Sequence, residues 1–348
     1  MKYKPQTKEE LIILIQDENI YLGDIDTSLI TDMSELFKNS KRVNFEGLET
    51  WNTSNVVNMS SMFELAENFN YNINSWDVSK VENMSKMFNY AVIFNQPLNN
   101  WNISNVKNIS FMFYNCFRFD QPLYKWDTSN IETLHVTFFG CKNFNQNIEN
   151  WNVSNVKDMR YTFYECSNFN QPLNNWDTSN VTDMSGMFSK ANKFNQPLDK
   201  WNTSKVINME VMFYYALSFN QNINSWNVSE VKYMNDMFFA AESFNQSIEN
   251  WDINKYCDIK DIFSSSYNNM KSILKIYFIA KGNYKKQLLS MLENCNIKEV
   301  YKEVLKYNKL KDFIKKLENI YYEELKEFIE NKKNILNEYK QKSKNKMI

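Results

Sequence analysis

Apolar positions recur along most of the chain on one period of 25 residues, and inside each period they follow two different spacings. Leu98, Trp101, Ile103 and Val106 fit an L-x-x-W-x-[VI]-x-x-V pattern. Trp and β-branched residues flanking an outward position predict a short strand there. Met84, Met87, Phe88 and Ala91 instead fall at i, i+3, i+4 and i+7, which predicts the inner face of a short helix with Asn83 as its N-cap. Phe94-Asn95-Gln96-Pro97 then predicts a return turn, because Pro fixes φ and Asn tolerates turn conformations. The expected unit is one strand, one turn, one helix and one return.

The register is fixed by tryptophan: Trp51, Trp76, Trp101, Trp126, Trp151, Trp176, Trp201, Trp226 and Trp251 lie on one ladder. Counting Trp as column 0, the unit reads W-[ND]-[TVI]-S-x-V-x-[ND]-M-S-x-M-F-x-x-[AC]-x-x-F-[ND]-Q-[PN]-[LI]-x-x. Ile25 takes the Trp place in an earlier unit, and a last one decays towards Phe263. A single unit cannot bury its apolar face, so the units are expected to stack as a repeat solenoid, leucine-rich-repeat-like, over residues 22–263. Stacking turns identical columns into lines of identical side chains. The Ser column (Ser54, Ser79 and their equivalents) and the Asn column (Asn70, Asn95 and theirs) are expected to satisfy backbone groups at the corners.

Units such as Trp76-Asp77-Val78-Ser79-Lys80-Val81-Glu82-Asn83-Met84-Ser85-Lys86-Met87-Phe88, followed by Phe94-Asn95-Gln96-Pro97-Leu98, resemble the repeat of BspA-like bacterial surface leucine-rich repeat proteins and of mycoplasma-type lipoproteins with 25-residue units. The resemblance spans roughly two thirds of the chain and implies a leucine-rich-repeat-like solenoid, a bacterial source and, for many members, a cell-surface role in adhesion or host contact. The sequence departs from surface members in having no signal or lipobox cysteine near Met1. Location is therefore expected to be cytoplasmic by that absence, and the cell surface if the chain follows its family.

The ends differ from the array. Thr7-Lys8-Glu9-Glu10 ahead of Leu11, Ile12, Leu14 and Ile15 is a capping box that predicts a helix within an N-terminal cap, residues 1–21. Residues 264–348 show helical spacing throughout, and Leu310, Phe313, Ile314, Leu317, Tyr321, Leu325, Phe328 and Ile329 form a stripe suited to a bundle or coiled coil. An all-α C-terminal domain, able to self-associate, is expected there. Charge divides at the same boundary. The chain as a whole carries a formal charge of −1, but residues 265–348 hold 19 lysines against 10 acidic residues, leaving 21 basic and 31 acidic residues before them. Because the tail lacks Arg and its lysines are spread out, a solvated helical face is expected in preference to a nucleic-acid site.

The remaining composition excludes familiar chemistry. Five Gly and one His leave no phosphate-cradling loop, no H-E-x-x-H and no serine-hydrolase triad. No apolar run approaches a membrane span. Five cysteines without a signal peptide fit a reducing compartment. Cys116, Cys141 and Cys166 replace Ala on adjacent units, close enough for an oxidative or soft-metal site; small buried hydrophobes are the expected reading. Asp77, Asp127 and Asp177 alternate with Asn beside Trp, which relieves repulsion, a calcium ladder being the sharper alternative. His135 stands in a Ser place and is expected to be a tolerated surface or corner residue. No catalytic, metal or cofactor site is expected.

One surface stands out. On a helix, columns 10 and 13 point away from the core, and they hold Phe111/Tyr114, Val136/Phe139, Tyr161/Tyr164 and Val211/Tyr214, whereas flanking units hold Ser61/Glu64, Lys86/Asn89 and Gly186/Ser189. A local apolar patch on a polar array reads as a contact surface. Neighbouring helices leaning on one another, or the C-terminal segment folding back, would explain the same residues. The expected function is a non-enzymatic interaction scaffold for a protein or glycan partner; the alternative is an adhesin exported by a route not encoded at this N-terminus.

Overall fold

The structure, a computed structural model, describes residues 2–263 apart from 247, 249 and 255. The helices and coiled coil expected over 264–348 lie outside the described residues.

Each 25-residue unit forms one rung, named here by its tryptophan, and successive rungs stack in parallel. Their regular pairing is one residue wide: parallel bridges join Asp32 to Asn58, Asn58 to Asn83, Asn83 to Asn108 and so on to Asp258. The expected strand at Leu98–Val106 does not form. The bridge lies further on, at column 7, and the Trp segment is extended for three residues between turns, too short for a ladder.

The expected helix does not form either. Among the described residues, the only α-helix is at the N-terminus, with two 3-10 turns at Leu22–Asp24 and Leu48–Thr50. Columns 8–15 instead make overlapping turns. In the Trp76 rung, Met87, Asn89 and Ala91 N–H groups donate to the Met84, Lys86 and Phe88 carbonyls three residues back. The intervening N–H groups of Met84, Lys86, Phe88 and Tyr90 donate to Asn108, Ser110, Met112 and Tyr114 on the next rung. Column 10 and column 14 residues such as Lys86 and Tyr90 have φ near +58°. An α-helix would spend every N–H within its own segment; alternating turns leave half of them to bind rung to rung. The i, i+3, i+4, i+7 apolar spacing serves both geometries, so Met84, Met87, Phe88 and Ala91 are all fully buried although the backbone is not helical.

The core is a set of ring stacks running along the array. Column 12 rings follow one another at 5.3–5.8 Å from Phe63 to Phe263, and from Phe63 to Phe238 each meets the column 18 ring of its own rung, as in Phe163–Phe169 at 4.2 Å. Each indole is buried, and from Trp76 onward its Nε1–H donates to the Leu or Ile carbonyl 28 residues back, as in Trp101 to Ile73 at 3.0 Å. That bond satisfies the one polar group a buried Trp carries.

Side-chain amides bind the corners. Asn145 Oδ1 accepts from the Asn170 N–H at 2.9 Å and from Gln171 Nε2 at 3.1 Å, and the same pair of bonds recurs from Asn70 to Asn220 with Asp120 in one place. The Ser column works differently from expectation. It is the neighbouring Asn or Asp that accepts, as Asp77 Oδ1 does from the Ser79 N–H, while the Ser79 carbonyl accepts from Asn105 Nδ2 on the next rung. Asp127 and Asp177 hold the same turn for Ser129 and Ser179. Asn83 also binds the N–H two residues on, heading a turn where a helix cap was expected.

At the front, α1 (Lys8–Gln16) is capped by Thr7, whose hydroxyl accepts from the Glu10 N–H, while the Glu10 carboxylate accepts in turn from the Gln6 N–H. Leu11 and Ile15 are its buried face. Lys8 reaches Asp32 and Ser34, fastening α1 to the column 7 line of the first unit.

Candidate functional site

The residues expected to form the patch are carried by a backbone other than the expected helix. Columns 10 and 13 point outward because column 10 takes a positive φ, as in Phe111, Tyr161 and Val211, and not because a helix carries them there. Phe111, Tyr114, Phe139, Tyr161, Tyr164, Val211 and Tyr214 are half-buried. Val136 is a correction: at 5% exposure it belongs to the core, a small side chain stacked between the larger column 10 residues Phe111 and Tyr161.

Stacking joins these rings into a stripe. Tyr114 meets Phe139 at 4.7 Å and Phe139 meets Tyr164 at 4.3 Å, both nearly parallel. Tyr90 extends the line at 5.1 Å from Tyr114, and Phe111 and Tyr161 flank it at 5.9 and 5.8 Å. After the Trp176 rung, which holds Gly186 and Ser189, it resumes with Tyr214 against Phe239 at 5.1 Å. Tyr90 and Phe239 were missed in the sequence: Phe239 lies in column 13 itself, and Tyr90 lies in column 14, which the helical geometry did not place outward. Lysines sit over the ring faces, Lys86 at 5.6 Å from Phe111 and Lys190 at 5.0 Å from Tyr164, a cation–π arrangement worth about 0.5–1 kcal/mol at an exposed site. The Lys190 ammonium also binds Glu165 at 2.8 Å. Glu165 first, then Tyr164, favour its charged form, and its pKa is raised. Burial, then the nearby acidic groups Glu210 and Asp183, raise the Tyr161 phenol.

His135 is not a free surface residue. It is half-buried with its ring edge-on to Phe111 at 5.0 Å, and burial lowers its pKa, against the opposing pull of Asp158. Arg160, next in the same column, holds Asp158 at 2.7 Å. His135 thus braces Phe111 at one edge of the stripe.

Cys116, Cys141 and Cys166 are fully buried free thiols. Each Sγ–H donates to a column 12 carbonyl of the preceding rung, Phe88, Phe113 and Phe138, at 2.9–3.0 Å. Burial pushes all three thiols upward in pKa, which suppresses the reactive thiolate. Native protein treated with iodoacetamide is therefore expected to carry no label on these three cysteines until urea unfolds the array. Peptide mass spectrometry reads this out, and native-state labelling would restore the redox alternative.

Among the described residues no group of three or more His, Cys, Asp or Glu is placed to hold a metal ion, and no helix is long and apolar enough to cross a membrane. What the face offers is a preformed aromatic line with polar edges. A family model described as "Mycoplasma protein of unknown function, DUF285" matches the chain three times, over residues 14–123, 112–216 and 171–277. The matches follow one another in tandem and overlap, as expected when every rung resembles the next. No curated protein and no solved structure matches the chain.

Proposed function

The chain belongs to the DUF285 family of Mycoplasma repeat proteins, and from that premise we propose that it is a non-enzymatic interaction scaffold, a leucine-rich-repeat-like solenoid of the BspA-like type presenting one face to a protein or glycan partner. The aromatic stripe carries this reading. Stacking repeats like upon like, whereas a catalytic centre needs unlike groups brought together. Rings already ordered against one another lose little side-chain freedom on binding, which is what a contact surface requires of its anchors.

A chain carrying Phe111→Ser and Phe139→Ser is expected to keep its circular dichroism spectrum and to melt cooperatively. It should lose roughly tenfold or more in affinity for the protein or glycan that the unaltered chain retains on an array. Unfolding of the double variant would make the stripe structural, and undiminished retention would remove it from the binding face. Either result overturns the proposal.

A further inference from the structure

The stripe is broken at one rung, and the break has a built shape. In the Trp176 rung the two outward positions are Gly186 and Ser189. The Tyr161 ring leans from the preceding rung across Gly186, where a Cβ would overlap it. Lys190 leans the opposite way, back onto Glu165 and the Tyr164 face of the preceding rung. On the far side Tyr214 and Tyr215 lean forward onto Phe239, at 5.1 and 5.7 Å. Tyr161 thus covers Gly186, while Tyr214 and Tyr215 turn away from the Trp176 rung. Beside the break lies an open recess of about 640 Å³ lined by column 13, 14 and 16 residues of four rungs, among them Lys142, Glu165, Lys190, Tyr214, Tyr215 and Leu217, within the volume range of small-molecule sites.

The lining chemistry is selective. Tyrosine presents an aromatic face for the C–H side of a sugar ring and a phenol for its hydroxyls. The Asn192 amide and the Ser167 hydroxyl add polar groups to the lining. Lys190 is paired with Glu165 at 2.8 Å, so the preference of the recess for an anion rests on Lys142, exposed at its rim beside the Phe117 ring at 5.3 Å. An extended peptide finds no strand edge here, because the Glu165, Lys190 and Tyr215 N–H groups already donate to the next rung, and Leu217 alone supplies aliphatic surface.

We propose that this recess is a binding site for an acidic glycan, a short saccharide carrying carboxylate or sulfate groups. The inference rests on the interaction-scaffold reading and names the ligand class for one part of its face. The test is isothermal titration of the full chain with a chondroitin sulfate hexasaccharide, an uncharged chitin hexasaccharide and a short Asp/Glu-rich peptide. Saturable binding of the sulfated saccharide is expected, weakened roughly tenfold or more by Lys142→Glu and by Tyr214→Ala, and unchanged by Phe111→Ser. Lys142 is exposed and Tyr214 half-buried, and thermal melting checks each variant. No saturable binding, equal binding of the uncharged saccharide, binding of the peptide instead, or indifference to both recess substitutions overturns the assignment. The broader scaffold reading stands or falls separately, on the Phe111/Phe139 variant.

Discussion

Replacing Phe163 by Ala is expected to destabilise the array by about 3–5 kcal/mol, the range for removing a fully buried aromatic ring. Phe163 has no solvent exposure and lies among Phe138, Phe169, Trp176 and Phe188 at 4.2–6.2 Å. The void cannot readily close. The backbone on either side is pinned by bonds between rungs, Phe163 N–H to Met187 and Phe138 N–H to Thr162, so neighbouring rings cannot move inward without breaking them. Because each rung touches only its neighbours, the damage also divides the array in two. The urea transition followed by tryptophan fluorescence should broaden as well as shift, a loss of two-state behaviour. Tyr124→Ala, at an exposed position, serves as the comparison and should change stability by no more than about 0.5 kcal/mol. A Phe163→Ala transition as sharp and as stable as that of Tyr124→Ala would contradict the stacked core.

Arg42→Met should cost about 3 kcal/mol, with the effect concentrated at the N-terminal cap. The Arg42 side chain is 5% exposed in a residue type that is seldom buried. Its guanidinium donates to the carbonyls of Ile15 at 3.1 Å, Ile20 at 3.0 Å and Asn44 at 2.6 Å. Ile15 is in the last turn of α1, where carbonyls have no partner within the helix, and that turn contains no basic residue of its own. Arg42 thus reaches in from the first unit to do what a C-terminal lysine does elsewhere. Met preserves most of the stem and removes the donors, and a charged hydrogen bond is worth about 1.5–3 kcal/mol. Burial lowers the Arg42 pKa, opposed by Glu18 and Asp17. Hydrogen exchange should accelerate over α1 and leave the Trp176 rung slow; unchanged exchange in α1 would refute the role.

The column assignments were legible in the sequence and the backbone was not. Met84, Met87, Phe88 and Ala91 are buried as the spacing required, yet overlapping turns present the same four positions to the core as a helix does. The distinguishing signal is the positive φ at columns 10 and 14. Gly marks it only at Gly140 and Gly186, while Lys86, Phe111, Tyr161 and Tyr215 adopt it too, so a residue-by-residue reading sees ordinary helix formers. Stabilisation by the next rung overrides that local preference. The recess was hidden for a related reason. Its lining comes from column 13, 14 and 16 residues of four successive rungs, from Lys142 to Leu217, which no single unit of the sequence brings together.

What the sequence determined by itself is the period, the tandem order of the units and which columns face inward, because those follow from repetition and from the need of each unit to bury its apolar side. It also placed the start of α1 at Thr7, since a capping box is local. The tertiary structure decided the conformation of each rung, the burial of Val136, the use of Arg42 to close α1, and the recess beside the break in the aromatic stripe. Each of these depends on where a neighbouring rung puts its donors and rings, and that distance is not encoded within 25 residues of chain.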